Sequence, residues 1–251
     1  MKNMLRQSFF VMRKKTSTYV ILAIIFAFSV LTGFINKIDA SEEPSEFPCA
    51  FTEIFSSCVG IAMLICGIYA VMYLGADLKE GFIKNITGNI RSRMDYIVPR
   101  ASALAVFNFA VLMSLTAGSL VGSTVFLNGL TDFEAVPFLK FFGALCLLLT
   151  GYAMLLAFLV CFIRNTSGPM ALAVFFGSGM FYNLFYGLLG MLLSKMGIEF
   201  DFSNVSVTMQ IIFLRPNASN QEFLTACIIA LSYILIFGFF TKLAVTKKDI
   251  A

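Results

Sequence analysis

Six apolar runs, each long enough to cross a bilayer, constrain this chain more than any motif in it. They lie near residues 18–36, 54–75, 102–127, 138–163, 169–193 and 223–244. A membrane-spanning helix needs about 20 such residues. A transmembrane barrel would instead show alternating segments of roughly ten residues, and these runs do not alternate. Composition agrees: 59% of the 251 residues are hydrophobic and 13% are charged, whereas about a quarter of a soluble domain is charged. The expected class is an all-α integral membrane protein, one transmembrane domain over 1–251. All six prolines (44, 48, 99, 137, 169, 216) fall in gaps or at span starts, where a missing N–H costs little. There is no Trp, so the interfacial belt falls to eight Tyr and 29 Phe. The first run is longer than a signal-peptide core and five more follow, so it reads as a retained helix.

Charge sets the expected orientation. Lys2, Arg6, Arg13, Lys14 and Lys15 precede the first span, and Lys79, Lys84, Arg91, Arg93 and Arg100 lie in the loop 76–101. Arg164, Lys242, Lys247 and Lys248 fall on the same side, making fourteen cations against four (Lys37, Lys140, Lys195, Arg215) on the other. The positive-inside rule then puts both termini and the charged loop in the cytoplasm. Ten of the fourteen acidic residues fall on the opposite side. Ahead of the first span, Leu5, Phe9 and Met12 are spaced i, i+4, i+7 with Arg6, Arg13 and Lys14 elsewhere on the wheel. That pattern fits a short interfacial helix over about 3–15; a frayed basic tail is the plainer alternative.

Much chemistry is excluded. The chain has no His and no CxxC, which removes His-based triads, HExxH sites and histidine proton relays. No GxxxxGK[ST] occurs, so no phosphate cradle is present. Cys49 and Cys58 could meet outside the membrane, while the other four cysteines sit in apolar runs as small hydrophobes. The span cores hold no Asp or Glu, although ion-driven transporters place ionisable or ion-coordinating groups at mid-depth. No catalytic residue and no metal site is expected. Small residues recur instead: Gly60, Gly67 and Gly75 share one face of the second run, and Gly118 and Gly122 form a GxxxG in the third. Asn108 in the third run and Tyr182, Asn183 and Tyr186 in the fifth either line a path for an amphipathic substrate or bond between helices.

The charged loop carries DLKEGFIKNITGNIRSRMDYIVPR, Asp77 to Arg100. Asp77 can cap a helix on which Phe82, Ile83, Ile86 and Ile90 recur at three- and four-residue spacing, between Lys79, Glu80 and Lys84. Such a helix could dock in a groove on a soluble partner, or the segment could be a solvated turn. The layout resembles the permease subunit of an ABC-2-type ATP-binding-cassette exporter. Glu80, Gly81, Lys84-Asn85, Ser92-Arg93 and Tyr96 follow that family's loop order, and Lys247-Lys248-Asp249-Ile250 its tail. The resemblance implies six spans, an N-terminal elbow helix and a cytoplasmic coupling helix over 77–90, with Arg93 beside it. It also implies a separate ATP-binding subunit that carries the ATP and Mg²⁺, so this chain holds no cofactor itself. A second permease copy or a sister permease would complete the unit. The segment 194–222 would hold short helices on the outer side, one of them from Ser206 to Leu214, half-buried in the outer leaflet.

The function implied is ATP-powered export, across a bacterial plasma membrane, of an amphipathic or hydrophobic substrate. Small Phe-rich permeases of this kind resemble those for bacteriocin or lantibiotic immunity and peptide-toxin export, which favours a peptide over a drug or lipid. The bilayer is a partner and nucleic acid is not. A non-transporting scaffold or sensor with basic inner loops is the competing reading; an intramembrane enzyme is disfavoured by the missing His and carboxylates.

Overall fold

The structure is a computed structural model that describes residues 2–42, 51–79, 94–127, 133–163, 165–180, 188, 191–192, 195 and 205–247. Those residues form eight helices and no strand: α1 (Lys2–Lys14), α2 (Thr16–Glu42), α3 (Phe51–Lys79), α4 (Met94–Phe126), α5 (Ala135–Ile163), α6 (Ser167–Gly177), α7 (Val207–Phe213) and α8 (Asn220–Lys247). Five of them, α2, α3, α4, α5 and α8, are long and apolar enough to cross a membrane. The chain is thus a multi-pass membrane protein in outline, since a continuous helix satisfies its own backbone groups in hydrocarbon.

α3, α5 and α8 run in one direction and α2 and α4 in the other. Phe51 and Phe55 at the start of α3 meet Phe138 and Phe141 at the start of α5, with ring centroids 5.1–5.7 Å apart. At that same end, the aromatic end, Lys140 Nζ donates to Asn220 Oδ1 at the start of α8 (2.9 Å). The opposite, basic end holds Lys15, Tyr73 and Arg100. α3 is central and touches α2, α4, α5, α6 and α7. The most extensive pairings are α5 with α8 and α2 with α4.

Small residues make both pairings possible. A Cβ placed on Gly33 of α2 would lie 2.8 Å from Gly122 Cα, and one on Gly118 would lie 2.7 Å from the Phe26 carbonyl and collide with Ser29. On α5, a Cβ at Gly151 would stand 3.1 Å from the Ala230 carbonyl of α8. Without a hydrophobic drive between helices in lipid, close backbone approach supplies the dispersion contacts that hold the bundle.

Three elements differ in detail from the sequence expectation. The helices flanking the charged loop run further than 75 and 102, to Lys79 and from Met94. Pro99 consequently sits inside α4 rather than in a gap; at the sixth position it removes only one ladder bond, that to the Asp95 carbonyl. The fifth apolar run, 169–193, begins as α6, but that helix stops at Gly177. Ser178 and Gly179 form a turn in which Gly179 takes φ +72°, and the Ser178 N–H closes on the Val174 carbonyl (2.9 Å). Glycine ends helices this way because it alone enters that region at no steric cost. The short helix expected over Ser206–Leu214 is present as α7, but Val207, Thr208, Met209 and Ile211 are buried against α3, α5 and α8.

Candidate functional site

At the basic end, four helices converge on two tyrosines. The amphipathic stripe of α1 faces the bundle: Ser8 is buried and Phe9, Val11 and Met12 rest on the core, while Arg6, Phe10, Arg13 and Lys14 are exposed. The chain breaks at Lys15, and Thr18 ties the break down. Its hydroxyl lies 2.9 Å from the Met12 carbonyl, to which it donates, and 3.0 Å from the Tyr69 hydroxyl. The Tyr69 ring stacks on Phe107 of α4 with centroids 3.6 Å apart.

Tyr73, one turn further along α3, is the hub. Its hydroxyl donates to the Ser8 carbonyl of α1 (3.2 Å) and accepts from Arg100 Nη1 of α4 (2.7 Å). The Arg100 guanidinium lies 5.0 Å from the ring centroid and Lys15 Nζ lies 5.2 Å from it. Cations at these distances are drawn to the negative face of the ring, and more strongly where water is excluded. Arg100 is itself only 5% exposed. Tyr73 lies seven residues before Glu80, and Arg100 seven after Arg93. The Ser8–Tyr73–Arg100 chain therefore ties α1 to both roots of the segment 80–93. The cluster offers no nucleophile and no acid–base pair; what it provides is mechanical and electrostatic linkage. Sequence reasoning missed Ser8, Thr18, Tyr69 and Tyr73, and counted Lys15 and Arg100 only as orienting charges. The available signal was Tyr69 and Tyr73, one turn apart at a span end, with Arg100 at the mirror distance across the loop.

Of the loop residues singled out in the sequence, Asp77 and Lys79 fall in the last turn of α3. Glu80, Gly81, Phe82, Ile83, Lys84, Ile86, Ile90 and Arg93 lie outside the described residues, as do Tyr182, Asn183 and Tyr186. Gly118 and Gly122 both face α2, against Ser29, Val30 and Gly33. Gly67 abuts the Tyr152 ring of α5, and Gly75 abuts Thr166 ahead of α6. Asn108 is buried within the bundle, and neither its amide nitrogen nor its oxygen has a hydrogen-bond partner.

At the aromatic end a groove of about 630 Å³ opens between α7 and the start of α8, lined by Gln210, Arg215, Asn217, Gln221, Glu222 and Thr225 among others. Its one carboxylate is already used. Glu222 accepts the Ser219 N–H (2.8 Å) while Ser219 Oγ accepts the Glu222 N–H (3.3 Å), a capping box that starts α8. Among the described residues no three metal-ligating side chains come together.

The fold therefore defines a polytopic helical membrane protein with a clamped N-terminal helix. No protein-family model matches the chain, and no curated protein matches it.

Proposed function

We propose that this chain is the membrane-spanning permease subunit of an ATP-binding-cassette exporter. One observation carries the reading: every charge in the five long apolar helices stands near a helix end. Within the membrane-length stretches 16–38, 51–76, 97–126, 135–163 and 220–244 they are Lys37, Glu53, Arg100, Lys140, Glu222 and Lys242. Coupling to a proton gradient needs a titrating group at depth, so in this reading the work enters from outside the hydrocarbon. In this reading the basic end faces the cytoplasm of a bacterial cell and both termini lie there. α1 is the elbow helix, and the run 169–193 completes six spans. The segment 77–90 is the coupling helix, seated on a separate ATP-binding subunit that holds ATP and Mg²⁺, and a second permease copy or a sister permease completes the translocation unit. The clamp at Tyr73 supports this assignment, since a push on the loop reaches α1, α3 and α4 together. The substrate class is an amphipathic or hydrophobic molecule, by preference a peptide.

The test is co-purification from membranes with the ATPase encoded beside it, followed by ATPase assay in proteoliposomes. Glu80→Arg, Gly81→Leu and Ile86→Asp should abolish association or nucleotide turnover while the permease stays folded. Unchanged association and turnover would sink the coupling assignment. Function without any ATPase would favour a scaffold or sensor. Accumulation of solute by the chain alone, driven by a pH or sodium difference, would end the reading altogether.

A further inference from the structure

Polar side chains in the long helices are nearly all satisfied locally. Ser29, Thr116, Thr124, Thr150, Thr225 and Thr241 each donate to a carbonyl three or four residues back, and Ser114 donates to the Leu22 carbonyl of α2 (2.7 Å). Asn108 and Ser119 of α4 are the exceptions among described residues, with buried polar atoms that meet no partner. They lie eleven residues apart, close to three full turns, so both occupy one face of α4 about 16 Å apart along its axis. Between them Val111, Leu112 and Leu115 are fully buried. Gly118 marks the side of α4 that meets α2, and Phe109 the side that meets α5 through Phe142. The Asn108 face lies between those two directions, the side that α3 occupies.

The two exceptions are unequal. Ser119 can turn to a carbonyl of its own helix as its neighbours do. Asn108 carries two donors and an oxygen with two lone pairs, and no rotation within a helix satisfies both ends. In hydrocarbon this is costly, and apolar replacement would be the cheaper choice if packing alone mattered. Asn108 is the twelfth of the thirty residues Ile97–Phe126, well inside the bilayer-length stretch. Phe107, the residue before it, stacks on Tyr69 of α3, the helix that the clamp ties to the loop.

We propose that Asn108 marks a polar lane between α3 and α4, closed in this packing, which opens to admit water and the donor–acceptor groups of a solute, above all peptide amides. The amide side chain carries both the N–H donor and the carbonyl acceptor that a peptide bond needs met, and an apolar wall of Val111, Leu112 and Leu115 beside it suits an amphipathic chain. This occupant rests on the exporter reading; the lane's geometry does not. Loss of ATPase association would sink that reading and leave the lane intact.

The experiment places single cysteines in a chain whose native cysteines are replaced by alanine, reconstituted in liposomes and treated with a small charged methanethiosulfonate. Only a thiolate reacts, and it forms only in water, so N108C should label at least ~10-fold faster than the lipid-facing control M113C. Labelling no faster than that control would overturn the lane. In the otherwise native chain, N108L should leave Tm unchanged or raise it, because an unmet amide is removed. A clear fall in Tm would show that Asn108 is bonded in the resting bundle and overturn the proposal without cysteine chemistry. A synthetic amphipathic Leu/Lys peptide should slow N108C labelling while a long-chain alcohol does not. Equal slowing by both, or by neither, would overturn the peptide occupant.

Discussion

α3 and α5 compare instructively with α2 and α8. The four have nearly the same mean hydropathy in their span-length windows, 2.2 and 2.5 against 2.3 and 2.4. Yet 61% and 56% of the first pair's windows are buried, against 22% and 22% for the second pair. α3 is surrounded by five helices, whereas α2 and α8 lean on one main neighbour each and turn Ile24, Leu31, Leu235 and Phe239 outward. In water such faces would be sealed; in lipid they cost nothing, because acyl chains solvate Leu as well as Leu does. Burial here reports packing and polar contacts rather than hydrophobic sorting.

Truncation should separate the pairs most sharply. Tyr152 of α5 is fully buried, abuts Gly67 of α3 and donates to the Ala173 carbonyl of α6 (3.1 Å). Tyr152→Ala should cost roughly 2–4 kcal/mol in reversible unfolding from mixed micelles, through lost contacts and the lost hydrogen bond to α6. An effect no larger than that of Phe239→Ala on α8 would break the comparison.

Crowding comes next and tests whether the outer helices are anchored at all. Gly118→Leu drives a side chain into the backbone of α2 and should cost about 1–3 kcal/mol. Gly60→Leu on α3, where a Cβ meets nothing within 4 Å, should be nearly neutral. If Gly118→Leu is also tolerated, α2 is held less closely than its contacts indicate.

A smaller effect is expected at the clamp. Tyr73→Phe keeps the ring that Lys15 and Arg100 approach but removes the hydroxyl between Ser8 and Arg100. A cost of about 1–2 kcal/mol follows from losing those bonds around a buried cation. Hydrogen exchange should show it as faster exchange of α1 amides, with α5 unchanged. Equal acceleration in α5 would mean that the clamp supports the whole bundle rather than α1.

The smallest change is Leu235→Ala. With 72% of that residue exposed, the expected shift is within ~0.5 kcal/mol. A large loss in membranes but not in detergent would reveal a protein surface covering α8.

Legibility in the sequence follows the same physics. Five of the runs are long apolar helices because a bilayer demands about 20 apolar residues whatever their neighbours. The GxxxG of Gly118 and Gly122 was readable as a close approach, but its partner, Gly33 of α2, was not, since only the crossing brings them together. The break at Ser178–Gly179 did have a local signal, Gly177-Ser178-Gly179, which the apolar residues on both sides outweighed. The tyrosine hub was hidden for another reason: Ser8, Tyr73 and Arg100 are far apart in the chain, and no local period links them.

The order of residues alone settled that this is a multi-helix membrane chain, with the charges of its long helices kept near helix ends and no ionisable group at depth in them. Only the tertiary structure decided which helices are central, that α1 folds onto the tyrosine hub, and that one amide inside the bundle goes unmet. Hydrocarbon reads hydropathy one residue at a time, so spans are local facts. Packing and hydrogen bonding join residues a hundred positions apart, and no window along the chain contains them.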